Sequence, residues 1–392
     1  MVSKIYASTR YKRYFANFIK RQNINIPSHI KKVPNGIIAI DSEKQLFCVF
    51  DANSKLVRHS IPFRNGQIQL VPQTYEEYDF IDIDVVYLGN LEDHFGHFLL
   101  EHTNRAYPSL KDKFKDTKYV LVNNRQFESV PEFTYIFFKF LGIRKQDIII
   151  LTKTTRFKNV YVPDICFNIP NISSKAFSNT FNKVLANTPT KGGYKKIYVS
   201  RTALGNRKTF GEEKIQNIFA KNGYKIISPE NLSLERQISL MKNCKSLAGV
   251  AGSALHLALF MPKNGTVIQL KRNRLLKDNS DTQHLICQTK RLDFILIDTA
   301  IEKHKTHHWS GFPQIIGSTK YLRQFLKDQR FIYSDSDLEP DEKSWQEYIK
   351  EFRKCGGFMR YQLKRMLVSF LPLFVPVKHY KITFRRWLNK NI

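Results

Sequence analysis

His94, His97 and Glu101 fall at i, i+3 and i+7, so a helix through them presents two imidazoles and a carboxylate on one face. Histidine titrates near neutral pH and is the usual base for taking a proton from an alcohol. A carboxylate one turn away can hold the imidazole tautomer or bind an acceptor hydroxyl. The two histidines lack the i, i+4 spacing of a helical zinc pair and no third ligand is evident, so no metal site is expected. The interleaved Phe95, Phe98, Leu99 and Leu100 equally suit a helix that only packs.

A second group is basic. Arg201, Arg207 and Lys208 follow an apolar run, and Gly252-Ser253 follows another. A turn of small residues entering a helix offers backbone N–H groups and the positive end of the helix dipole to an anion. Arginines beside it add bidentate, charge-assisted donors. This is the chemistry of a phosphate site, with a nucleotide diphosphate as its natural occupant.

The elements that would hold these residues alternate. From Ile197 to Leu270 the pattern reads strand, helix, strand, helix, strand, helix, strand, which calls for a mainly parallel sheet with helices on both faces. Ligands of such sheets bind beyond the carboxyl ends of the strands, where Arg201 and Gly252 fall. Upstream, strand patterns at Asp84 to Leu88, Lys118 to Val122, Asp147 to Leu151 and Asn159 to Val162 alternate with helical patterns around His94 to Tyr107 and Pro131 to Leu141. The chain therefore reads as two doubly wound α/β halves. A small antiparallel element precedes the first, and Thr188 to Gly193 is the best linker between them.

Ser200-Arg201, Arg207-Lys208, Glu212, Leu232-Ser233-Leu234 with Gln237-Ile238, and Gly249 to His256 with Leu259-Phe260 and Pro262 together resemble glycosyltransferase family 61. His94-Phe95-Gly96-His97-Phe98-Leu99-Leu100-Glu101 resembles the family's N-terminal signature, and the likeness covers roughly residues 85 to 300. Gly252-Ser253-Ala254-Leu255-His256 is similar to the bacterial branch, associated with capsular polysaccharide biosynthesis; the eukaryotic branch usually shows His-Gly-Ala there. The chain departs from the family at Gly211, where Asn is common, and at Gln269, where Glu is common.

The resemblance implies a GT-B fold, two Rossmann-like domains facing a cleft, and an inverting sugar transfer from a UDP-linked donor to a hydroxyl of a growing surface polysaccharide or glycolipid. It makes His97, His94 and Glu101 the catalytic candidates. It makes Arg201, Arg207, Lys208, Glu212, Gln237, Gly252, Ser253 and His256 the donor-binding ones. No cofactor or metal is expected.

With 392 residues the chain is too long for one ordinary domain. The expected division is residues 1–187 on the acceptor side, 194–300 on the nucleotide-sugar side, a connecting segment 301–345 and a basic amphipathic helical tail 346–392. The 63 basic against 34 acidic residues, a formal charge of +29, favour polyanions: nucleic acid, anionic lipid or nucleotide substrates. A basic binding protein without glycosyl transfer is the alternative. Against nucleic acid, no zinc-finger, helix-turn-helix or RNP pattern is present, and no nucleic-acid partner is expected.

Five cysteines without a Cys-x-x-Cys pair read as reduced thiols. No signal peptide is expected, and Phe370 to Val377, broken by Pro372 and Pro376, is too short to span a bilayer. The expected location is the cytoplasm, peripheral on the inner face of the bacterial membrane, with the tail on anionic lipid or docked on the protein itself. His304, His307 and His308, the acidic stretch around Pro340 and the Lys271 to Arg274 loop read as solvated loops.

Overall fold

The computed structural model describes residues 3–43, 46–61, 63–64, 67–68, 78–204, 209–276, 278, 280–301 and 313–354. Arg207, Lys208, His304, His307, His308 and the tail beyond Lys354 lie outside them.

The second half is built on a six-stranded parallel sheet. Its order is Lys225–Ile227, Lys196–Val199, Ser246–Val250, Thr266–Lys271, Asp293–Asp298 and Ser3–Tyr6. Counted along the chain from residue 196, the strands stand 2-1-3-4-5. Their side chains alternate between two cores, as a strand buried on both faces requires. Ile197, Val199, Leu247, Val267 and Leu296 face one. Tyr198, Ala248, Val250, Ile268 and Ile297 face the other, with Ile215, Ile218 and Phe219 of the helix Glu212–Lys221 and Leu322 and Phe325 of the helix Lys320–Asp328. Every strand and helix read between Ile197 and Leu270 is present, although the last helix, Ser253–Phe260, is 3-10.

Two boundaries differ from the sequence reading. Ser3–Tyr6 belongs to the second half, pairing along Asp293–Asp298. Tyr6 packs edge-on against Phe325 at 5.6 Å and donates its hydroxyl to Asp328 at 2.9 Å. An edge strand of four residues has too little pattern to declare its sheet. Likewise the 301–345 segment is not merely connecting, because the helix Lys320–Asp328 closes one face of the sheet. The helix Glu342–Lys354, where the tail was to begin, docks on the protein through Tyr348 beside Phe210 and Ile315.

The first half carries a mixed sheet. Thr155–Pro163, Asp79–Asn90, Lys118–Val122 and Ile148–Leu151 run parallel, and Ile30–Pro34, Ile37–Asp41 and Leu46–Phe50 add antiparallel to its edge. The antiparallel element is thus continuous with the sheet. One face, with Val85, Tyr87, Val120 and Phe157, is covered by residues of these strands, Val57 and the short 3-10 turn Arg58–Ser60, and its apolar cluster takes no α-helical residue among those described. The other face joins the core of the second half. This half is therefore not wound on both faces.

Aromatic rings fix the two halves together. Phe260 lies 5.1 Å from Phe181 of the helix Lys175–Asn187; Phe181 lies 5.5 Å from Phe137 of the helix Glu132–Leu141; Phe137 lies 5.6 Å from Phe98. Each such ring is worth ~3–5 kcal/mol when truncated to alanine in a packed core. The chain of rings ties the histidine segment to the Gly252 turn. The linker between the halves is itself anchored, with the Lys191 N–H donating to the Ser239 hydroxyl at 2.8 Å.

Candidate active site

The strand Asp79–Asn90 delivers the histidine segment to the edge of the first sheet. The expected continuous helix from His94 is instead one α-turn, Phe95–His97, followed by a π-turn, Phe98–His102. His94 is not helical but caps the turn, its Nδ1 accepting the His97 N–H at 3.4 Å. The Thr103 hydroxyl donates to the Leu99 carbonyl at 2.8 Å and the Thr103 N–H to Phe98 at 3.1 Å, so the ladder widens by a residue. The three candidates still converge. The rings of His94 and His97 lie 4.7 Å apart, and His97 Nδ1 lies 2.9 Å from Glu101 Oε1. A carboxylate can only accept, so His97 holds its proton on Nδ1.

Behind the turn is a brace that the sequence did not reveal. Buried Glu92 accepts the His94 N–H at 3.3 Å and the Arg125 guanidinium at 3.1 and 3.3 Å, and lies 3.5 Å from His102 Nε2. Burial would raise its pKa, but His102, Arg125 and the His94 N–H outweigh it and hold Glu92 well below the ordinary carboxylate range. Glu92 adjoins His94 in sequence, but Arg125 lies beyond the next strand, and only the fold pairs them.

Across from this turn are the carboxyl ends of the parallel sheet. In the 2-1-3-4-5 order the chain reverses direction between Lys196–Val199 and Ser246–Val250, the topological switch point where such sheets bind ligands. Arg201 and Gly252 follow these two strands. A Cβ on Gly252 would lie 2.3 Å from Arg201 Nη1, so the guanidinium rests directly on the glycine backbone. The 3-10 turn Ser253–Phe260 has Gly252 at its start and no side-chain cap on its first N–H groups.

Glu212 does not face the histidine turn. It is fully buried, and its Oε1 accepts the Arg201 N–H at 3.1 Å and the Tyr198 hydroxyl at 3.2 Å. Desolvation, only partly offset by the Arg201 N–H and guanidinium, raises its pKa to about 7. Gln237 is also away from the site, its amide nitrogen donating to the carbonyls of Pro229 and Leu232 at 2.9 Å each. Both residues shape loops.

His256 is brought in. Burial, with His97 and His94 nearby, lowers its pKa to about 4. The two blocks touch directly, since a Cβ on Gly96 would lie 2.7 Å from Ser253 Cβ. Of the Lys271 to Arg274 loop, only Arg274 is exposed as read. Lys271, Arg272 and Asn273 are buried, and Lys271 Nζ lies 3.3 Å from Asp278 and 4.9 Å from the centre of the Tyr11 ring. That cover arrives from the N-terminal helix Thr9–Ile19, distant in sequence. Among the described residues no group of three His, Cys, Asp or Glu side chains is arranged to hold a metal ion, and no helix is long and apolar enough to cross a membrane.

No curated protein matches the chain. Among solved structures it is similar to the bacterial iron-containing dodecameric glycosyltransferase TibC from enterotoxigenic E. coli H10407, at 12% identity over 64% of this chain and 79% of that one, with a TM-score of 0.25. A TM-score that low carries no argument. The family model Glycosyltransferase 61 matches residues 95–268, from the histidine turn to the strand beyond the Gly252 turn. The histidine turn and the Gly252 turn both fall within this one matched segment, and the segment is that of a glycosyltransferase of family 61.

Proposed function

We propose that the protein moves a sugar from a UDP-linked donor to a hydroxyl of a growing surface polysaccharide or glycolipid, with inversion at the anomeric carbon, in a GT-B-type cleft between its two halves. The observation that carries this reading is the contact of Gly96 with Ser253, which sets a histidine–carboxylate pair against a small-residue turn at a sheet switch point.

In the proposed reaction the acceptor hydroxyl attacks the anomeric carbon as its proton passes to His97 Nε2; His94 is the other candidate base. The bond to the diphosphate breaks, and its electrons leave with the diphosphate oxygen. Arg201 and the N–H groups at Gly252 and Ser253 meet the charge that grows there, fixed donors being worth most where charge develops. Arg207 and Lys208 would add to them. Those groups could serve in place of a divalent metal. The charge of +29 and the basic amphipathic pattern of residues 346–392 support a location on the inner face of a bacterial membrane.

The test is calorimetric titration of the purified protein with UDP, CDP and GDP in EDTA, repeated on Arg201→Ala. Selective micromolar binding that is lost in the variant is expected. Absence of binding to any nucleotide, or binding only with manganese, would overturn the donor site as described.

A further inference from the structure

The helix Ser280–Lys290 reads as polar, yet Ser280 to Cys287 are all buried, and Gln283 is directed at the Gly252 turn. Its Nε2 lies 3.2 Å from the Leu255 carbonyl and its Oε1 3.1 Å from His256 Nδ1. The Leu255 carbonyl can only accept, so it fixes which end of the amide is the nitrogen; the opposite orientation would set two oxygens together. With Oε1 then facing His256, Nδ1 must donate.

The second proton is disfavoured by desolvation and by His94 and His97, the titratable groups facing this ring from the other side of the cleft. Nε2 takes no hydrogen-bond partner among the described residues, and the residue is only half-buried. At neutral pH that nitrogen is an acceptor beside a turn otherwise rich in donors.

We infer that Gln283 is a positioning residue that locks His256 with its proton on Nδ1, so that Nε2 accepts a hydrogen bond from a hydroxyl of the donor sugar rather than binding phosphate. A phosphate oxygen offers Nε2 no proton, whereas a sugar hydroxyl does. His256 thereby separates the sugar end of the donor from the diphosphate end held by Arg201. The assignment rests on the nucleotide-sugar reading above, but the tautomer itself does not.

Two measurements on the full-length protein test it. Nitrogen-15 NMR of the imidazoles, with His256 assigned by its loss in His256→Gln, should show a neutral ring with its unprotonated nitrogen at Nε2 from pH 8 to pH 5. An Nε2–H tautomer or a titrating imidazolium would overturn the lock, whether or not any nucleotide binds. Gln283→Glu replaces the amide with a carboxylate that favours the imidazolium. In this variant affinity for the best-bound of UDP-glucose, UDP-galactose and UDP-N-acetylglucosamine should fall roughly tenfold, the scale of one hydrogen bond, with affinity for free UDP unchanged. Equal losses for UDP and the UDP-sugar would overturn the assignment to the sugar. His256→Gln should reproduce the selective loss if Gln283→Glu fails to fold, and an unchanged UDP-sugar affinity there would equally overturn it.

Discussion

The two sides of the candidate site are built to different standards of rigidity. On the proposed anion side, Arg201 is clamped through its backbone by buried Glu212 and lies over a glycine, at the end of a sheet packed on both faces. On the proposed base side, His97 and Glu101 stand on a single α-turn running into a π-turn, and their side chains keep about a third of their surface, 32% and 29%, in contact with solvent. Charge stabilisation depends on dipoles that do not reorganise, so the sealed side suits it. Proton transfer needs an imidazole that can exchange protons with its surroundings, so an open turn suits it.

The most damaging single change should be on the rigid side. Gly252→Ala puts a methyl 2.3 Å from Arg201 Nη1, and the guanidinium has to leave. We expect kcat/KM to fall by ~10²–10³, the cost of losing an oxyanion-type donor. Stability should change little, because the obstacle is the far end of a flexible side chain. Activity near that of the unmodified protein would mean that Arg201 works from another position, and the contrast between the two sides would lose its basis.

Glu212 sharpens the contrast through pH. Its pKa is near 4.5 in the unfolded chain and about 7 in the folded one. Between these values the native state holds a proton that the unfolded state has lost, so stability falls as pH rises from about 4.5 to about 7. At 1.36 kcal/mol per unit the loss is about 3 kcal/mol. Glu212→Gln has no proton to lose, so its stability relative to the parent should grow between pH 5 and pH 8 in urea denaturation. Parallel curves for the two proteins would show that the buried carboxyl is not strained by ionisation.

Much of the rigid side could be read from the chain, because a parallel sheet buried on both faces imposes continuous apolar runs such as Ile197 to Val199 and Leu247 to Val250, with a turn after each. The candidates on the helix and loop interiors were harder. Glu212 and Gln237 resemble family positions, but their burial beneath Arg201 and the Pro229–Leu232 loop depends on strand order. Glu92 with Arg125, and Gln283 with His256, are pairs in which one partner carries no local pattern at all. The burial of Lys271 escaped for the same reason, since its partner Asp278 and its cover Tyr11 come from separate segments. The irregular histidine turn escaped because a threonine's choice of backbone acceptor decides it.

The smallest effect should be on the open side. Glu101 holds the Nδ1 proton of His97, and both orientation and charge could matter. Glutamine can place its amide oxygen where Oε1 now lies, keeping the tautomer without the charge, whereas leucine can do neither. Glu101→Gln should therefore lower kcat about tenfold, and Glu101→Leu somewhat further, with donor KM unchanged in both. Stability should shift by no more than ~0.5 kcal/mol, as for other partly exposed pairs. If Gln and Leu are equally impaired, the charge rather than the tautomer is what the base uses. If neither is impaired, His97 takes its orientation from the turn alone, and the open side is more rigid than its exposure implies.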